Sequence, residues 1–134
     1  VHDEIGYNYR LPNINAALGC AQLEQLPLFL KNKRILLERY VSSFKDISQV
    51  KIVTQPVGCE SNYWMQTLFL DRSIADHIDS ILSVTNEAGY ATRPVWTLLN
   101  ALEPYMNCPS MDLSVSKELS ARLINIPSQV PNLT

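Results

Sequence analysis

The sequence predicts an α+β fold, a small and mostly antiparallel sheet with helices packed on one face. Three observations predict it. Apolar residues recur near a 3.6-residue period up to Phe44, and short β-branched or aromatic runs follow. The elements then read helix, helix, strand, strand, helix, strand, short helix, strand. The third observation is size: 134 residues with 46% apolar content suffice for one ordinary core.

Each element has a local reason. Leu11-Pro12 disfavours helix up to that point, and Asn13 is a reasonable N-cap. Ile14, Ala17, Leu18, Ala21 and Leu26 mark a first helix, which Pro27 is expected to interrupt. Phe29, Leu30, Leu36, Leu37, Tyr40, Val41 and Phe44 then give a broad apolar stripe, a second helix at about 28–45. Val50 to Val53 and Tyr63 to Leu70 read as strands, the latter central. Ile74, Ile78, Ile81, Leu82 and Thr85 predict a third helix closed by Gly89. Tyr90 to Arg93 returns to strand character and stops at Pro94, and residues 97–112 are irregular. Ser114 is expected to cap a short helix to about Arg122, before a last strand from Leu123 to Ile126. The organisation expected is an interface segment and helix at 1–27 and a small α+β domain at 28–134.

Composition excludes several functions. The charge balance is 11 Lys+Arg against 13 Asp+Glu, with charged residues at 18%, which argues against disorder and gives no footprint for nucleic acid. Lys31, Lys33, Arg34 and Arg39 cluster at helical spacing and read as a solvated helix face. No apolar run approaches the roughly 18 residues of a membrane span. The first residues, Val1 to Ile5, lack a secretory signal's basic and hydrophobic regions. A cytoplasmic protein is expected, and the absence of a starting Met suggests a processed chain or a fragment. Cys20, Cys59 and Cys108 are odd in number and far apart, so reduced thiols are expected and a zinc site is not. Cys20 reads as a small core residue. His77, between Asp76 and Asp79, reads as a surface residue, and no metal site is expected.

No catalytic set emerges. The four glycines are too dispersed for a phosphate loop, and no Gly-x-Ser-x-Gly elbow exists. Gly6-Tyr7-Asn8-Tyr9-Arg10-Leu11-Pro12-Asn13 places an amide, two phenols and a guanidinium before a helix start, where anions are favoured. Spacing alone leaves the bland alternative ahead: a capping amide, buried rings and an Arg10–Glu4 pair. Tyr90-Ala91-Thr92-Arg93-Pro94-Val95-Trp96 offers a guanidinium and an indole at a strand end, or an ordinary edge strand. Asn62-Tyr63-Trp64 admits the same two readings more weakly.

The segment from Gly6 to Gly19, followed by Ala21-Gln22-Leu23-Glu24-Gln25-Leu26, resembles a hallmark of the DegT–DnrJ–StrS family of pyridoxal-phosphate-dependent aminotransferases acting on nucleotide-linked keto-sugars. Thr92-Arg93-Pro94-Val95-Trp96-Thr97-Leu98 and Arg122-Leu123-Ile124-Asn125-Ile126-Pro127-Ser128 resemble one branch. That branch places 4-amino groups on UDP-linked 6-deoxy-hexosamines of legionaminic-acid-type pathways. The resemblance implies the C-terminal domain of a fold-type I aminotransferase, with the Schiff-base lysine upstream of Val1. No catalytic residue is then expected here, and no cofactor on this chain alone. It further implies that Asn8 reaches across a subunit interface to the cofactor phosphate, and that Arg10, Arg93 and Trp96 contact the nucleotide-sugar. Val95 and Trp96 stand where many relatives have His and Tyr. The partners implied are a second copy, as homodimer or larger assembly, and the large N-terminal domain. The alternative is a free-standing oligomerising or binding module descended from such a domain.

Overall fold

Two strands, β2 (Gln66–Leu70) and β4 (Leu123–Ile126), pair antiparallel at the centre of the computed structural model, which describes residues 6, 7 and 9–129. Leu68 lies opposite Ile124, and Gln66 opposite Ile126. Alternation therefore sends Leu68, Leu70, Ile124 and Ile126 to one face, where they form the core. The flanking strands β1 (Val50–Ile52) and β3 (Arg93–Pro94) complete a four-stranded sheet, order β1-β2-β4-β3, antiparallel at every joint. Pro94, which lacks an amide donor, sits on the edge strand, where it costs no ladder bond.

Helices α1 (Asn13–Phe44) and α2 (Ile78–Glu87) cover the same face. Tyr40 and Phe44 of α1, with Ile78, Ile81 and Leu82 of α2, pack on the four aliphatic core residues. Leu70 and Ile124 are at most 1% exposed, so each contributes about 1.5–3 kcal/mol of burial. The opposite face is held by side chains in register: Thr67 Oγ1 donates to Asn125 Oδ1 at 3.0 Å, and the Arg122 guanidinium lies 4.1 Å above the Phe69 ring. The α+β class, one covered face and the antiparallel sheet all agree with the sequence.

Several local expectations change. α1 is a single 32-residue helix that runs through Pro27. Proline removes one rung, the bond to the Leu23 carbonyl, at about 3 kcal/mol. Here the flanking Gln22, Glu24, Gln25, Leu28 and Leu30 are good helix formers, and the exposed site lets water take the freed carbonyl. Pro12 rather than Asn13 holds the N-cap, its carbonyl accepting from Ala16 N–H at 3.0 Å. The central strand begins at Gln66, because Tyr63 adopts φ 47° and the chain bends at Trp64 and Met65. Residues 90–92 are not strand: Thr92 is buried and its hydroxyl and carbonyl bond Thr85 and Asn86 of α2. A 3-10 stretch at Arg72–His77 precedes α2, and two 3-10 turns interrupt the irregular 97–112 region. Leu113 rather than Ser114 holds the N-cap of α3 (Ser114–Ser120), and the Asp112 carboxylate just before it accepts from Ser114 N–H at 3.0 Å and from the Ser114 hydroxyl at 2.8 Å. Cys20 is exposed, as are Cys59 and Cys108, because Cys20 lies on a part of α1 that no other described element covers.

Gly89 ends α2 as expected. Its φ is 86°, Gly89 N–H donates to Asn86 O at 3.0 Å, and Tyr90 N–H donates to Thr85 O at 2.9 Å, the Schellman pattern. A Cβ would meet open space, so the cost of Gly89→Ala is conformational alone. We expect about 1 kcal/mol of destabilisation, read as a lower urea midpoint with unchanged slope.

Acid should act through three carboxylates whose pKa values are depressed. Asp71 is lowered by the Ser73 backbone N–H and then its hydroxyl, and Asp112 by the same pair of groups on Ser114. Glu118 is lowered by its hydrogen bonds from Arg72, at 2.7 and 2.9 Å, and then by Arg122. A depressed carboxylate stabilises the fold above its unfolded pKa and loses that contribution as pH falls through the folded value. The urea midpoint should therefore hold near neutrality and fall below about pH 4. A midpoint flat from pH 7 to 2.5 would contradict this.

Candidate functional site

The motif residues fall at opposite ends of the molecule. Arg10 stands just before α1, between the exposed Tyr9 and Leu11. Tyr7 and Tyr9 are 79% and 91% exposed, with ring centroids 6.2 Å apart, so ring burial within the described chain is not their role. Asn8 and Glu4 lie outside the described residues. Arg93 and Trp96 lie at the edge strand β3 and the turn after it, at the far side of the domain. Between residues 13 and 33 the helix rises about 30 Å, and Lys33 is the point at which α1 touches the Trp64 end of the sheet. The structure therefore brings Arg93 and Trp96 to one region and holds Arg10 far from it.

The stretch of α1 that separates them is bare. Residues 13–29 are exposed throughout, apart from the half-buried Ala16. Ile14, Leu18, Ala21 and Leu28 recur at helical spacing along one side of it, with Ile14 81% and Leu18 61% exposed. Only after residue 30 does the helix engage the domain, with Leu37 buried beneath it.

At the sheet end, Arg93 is oriented by α2. Its Nη1 donates to Asn86 Oδ1 and to Thr92 O, both at 2.7 Å, while Asn86 Nδ2 donates back to Thr92 O and Thr92 Oγ1. The guanidinium is thus fixed on one edge and exposed on the rest. Trp96 is 71% exposed and lies against Trp64, centroids 6.1 Å apart at 33°.

Lys33 is not part of a solvated face, contrary to the sequence reading. Its amine donates to the Ser128 carbonyl, to Ser128 Oγ at 2.9 Å and to the Trp64 carbonyl at 3.3 Å. Its carbonyl accepts from the buried Gln66 amide, and burial lowers its pKa. Arg34 pairs with Glu60 of the following loop. Helical spacing had no means of revealing these ties, which join residues 26 to 95 positions apart.

The lysines do not fit the role of a cofactor-bound amine. Lys31, Lys45, Lys51 and Lys117 are exposed, and Lys33 is already committed to protein acceptors. A groove of about 350 Å³ between α1 and α2 is lined by Tyr40, Phe44, Ile81, Tyr90 and Ile124, without carboxylate, amine or imidazole. No group of acids, thiols and imidazoles that could hold a metal exists among the described residues, and no described helix is long and apolar enough to cross a membrane. The described residues therefore do not make a complete pyridoxal phosphate site.

Comparison with known proteins places the chain in a family. The sequence profile of the DegT/DnrJ/EryC1/StrS aminotransferase family matches residues 1–134. A GDP-perosamine synthase of Vibrio cholerae is 30% identical over 128 residues, covering 95% of this chain and 35% of that protein. In structure the chain is similar to Helicobacter pylori PseC, an aminotransferase involved in the biosynthesis of pseudoaminic acid, with a TM-score of 0.85 at 20% identity over 98% of this chain and 36% of that one. It is also similar to the E. coli GDP-4-keto-6-deoxy-D-mannose-3-dehydratase with bound hydrated PLP, with a TM-score of 0.79 at 20% identity over 96% and 34%. The chain spans about a third of the length of the relatives it matches.

A helix half that lies on nothing should exchange freely. In the 134-residue chain, amides of residues 14–28 should exchange orders of magnitude faster than those of residues 34–42. Equal protection in the two halves by hydrogen-exchange mass spectrometry would mean that the first half is covered.

Proposed function

Because the chain belongs to the DegT/DnrJ/EryC1/StrS aminotransferase family, we propose that it is the C-terminal part of a pyridoxal-phosphate-dependent enzyme that aminates a nucleotide-linked keto-sugar. One observation carries this reading: an arm with an anion-binding composition precedes a helix half that no other described element covers. Such an arm serves a site outside its own domain. On this proposal residues 1–27 are the interface segment and 28–134 the small domain. Pyridoxal phosphate supplies an electron sink when bound, and the rest of the enzyme holds it. This chain's own residues bind and orient. Asn8 donates its amide to the cofactor phosphate across the subunit boundary, Arg10 neutralises the phosphates of the nucleotide-sugar, and Arg93 and Trp96 hold the nucleotide-sugar near the strand end. The apolar side of α1, with Ile14 and Leu18, is then covered by the large domain and a second copy, giving a homodimer or a larger assembly.

The test uses the longest natural polypeptide that carries residues 1–134. It should transfer an amino group to a nucleotide-linked 4-keto-sugar. Arg10→Ala should lower kcat/KM about 10- to 100-fold, the loss of a charged hydrogen bond. Mixing Arg10→Ala subunits with subunits that lack the upstream lysine should restore about a quarter of the activity, because one site in each mixed dimer regains both parts and random pairing makes about half of the dimers mixed. Titrated with pyridoxal phosphate, the 134-residue chain alone should show no saturable imine absorbance corresponding to one cofactor per chain. No transfer to any nucleotide-linked keto-sugar, or Arg10→Ala within twofold of the parent, would refute the proposal.

A further inference from the structure

The two exposed indoles at the sheet end are separated by 32 positions in the chain and meet only through the fold. We infer that Trp64, paired with Trp96, forms a stacking platform for the planar base of a nucleoside diphosphate-linked ligand. The inference rests on the nucleotide-sugar reading above and assigns to Trp64 a role that the sequence motifs do not give it.

Exposure comes first. Trp64 is 64% and Trp96 71% exposed, and an indole is the side chain with the most to gain from burial. Their rings lie 6.1 Å apart at 33°, an offset, tilted arrangement that leaves ring face open to a third aromatic.

The backbone beneath Trp64 is fixed. Trp64 N–H donates to Asn62 Oδ1 at 3.0 Å, and its carbonyl accepts from Lys33 Nζ and from the Ser128 hydroxyl. Tyr63, one residue earlier, holds φ 47°, a left-handed conformation that a bulky residue adopts at a cost. It stays there because its own ring is buried, its N–H donates to Ser61 Oγ at 3.1 Å, and its hydroxyl accepts from Gln55 N–H at 3.2 Å. The left-handed turn separates two aromatic neighbours, so that Tyr63 enters the protein and Trp64 leaves it. A clamped backbone under an exposed ring is preorganised for stacking, since little freedom is lost on binding.

The polar surroundings choose the base over the sugar. The polar side chains bonded to the Trp64 backbone are spent there, Lys33 and Ser128 on its carbonyl and on each other, and Asn62 Oδ1 on its N–H. Recognition there falls to ring faces, which suit a flat heterocycle and tolerate more than one base.

The experiment measures binding of UDP, GDP and dTDP, with inorganic pyrophosphate as the ringless control, to the longest natural polypeptide carrying this segment. Trp64→Ala should weaken each nucleoside diphosphate about tenfold or more, the scale of one lost base stack, and change pyrophosphate affinity less than twofold. Trp64→Phe should recover most of the loss. Trp96→Ala should repeat the effect, and Trp64→Leu, which keeps apolar bulk without a ring, serves if Trp64→Ala fails to fold. Nucleoside diphosphate affinity within twofold of the parent in both alanine variants would overturn the inference. Equal weakening of pyrophosphate would also overturn it, because a ring contact cannot act on a ringless ligand. Failure of the two readings is distinguishable. An enzyme that aminates nucleotide-sugars yet ignores both alanine changes keeps the amination and loses the platform, and with it the Trp96 contact. One that binds nucleoside diphosphates through Trp64 but aminates none of the sugars keeps the platform and loses the function.

Discussion

The β2–β4 pairing is the constraint from which the rest of the domain follows. It places four aliphatic side chains on one face, and both long helices take their positions by covering them. The same register puts residues 64 and 128 side by side beyond the strand ends, where the amine of Lys33 ties both to α1. Core and site are therefore joined by a single alignment. A slip of one residue in β4 would turn Ile124 and Ile126 outward and part Trp64 from Ser128 together.

The layout divides labour between two ends of one helix. The half of α1 that packs, after residue 30, anchors the chain to the sheet, and the bare half carries Tyr7, Tyr9 and Arg10 away from it. Nothing in the described residues draws the two ends to a common pocket. On the proposed function the two ends meet by exchange between copies.

Much of the architecture was legible because it rests on periodicity. The covered face of the sheet is written in Leu68, Leu70, Ile124 and Ile126, and the end of α2 in Gly89. Local rules misled where two of them competed. Pro27 signals a break, but a strongly helical neighbourhood in water carries the helix past it. Ser114 is a good cap in isolation, yet it is the first residue of α3, and its own amide and hydroxyl are taken by the Asp112 carboxylate. The site was less legible. The anion-binding composition before α1 is visible in sequence, whereas the Trp64–Trp96 contact and the Lys33 ties are products of topology, with no pattern to announce them. Tyr63 belongs to the same class, since its aromatic neighbours read as strand and only tertiary bonds hold the left-handed turn.

The geometry of α1 also has a mechanical side. A rod gripped over its C-terminal half and, among the described residues, uncovered over about 25 Å of its N-terminal half is a lever within the chain, and each degree of rotation at the grip swings its tip by about 0.4 Å. Pro27 sits just outside the grip, where a backbone rung is missing, and is the natural flexure of that lever. Repacking beneath Leu37 or Tyr40 would thus be felt as a displacement of the tyrosines and arginine at the tip, far from the altered side chain.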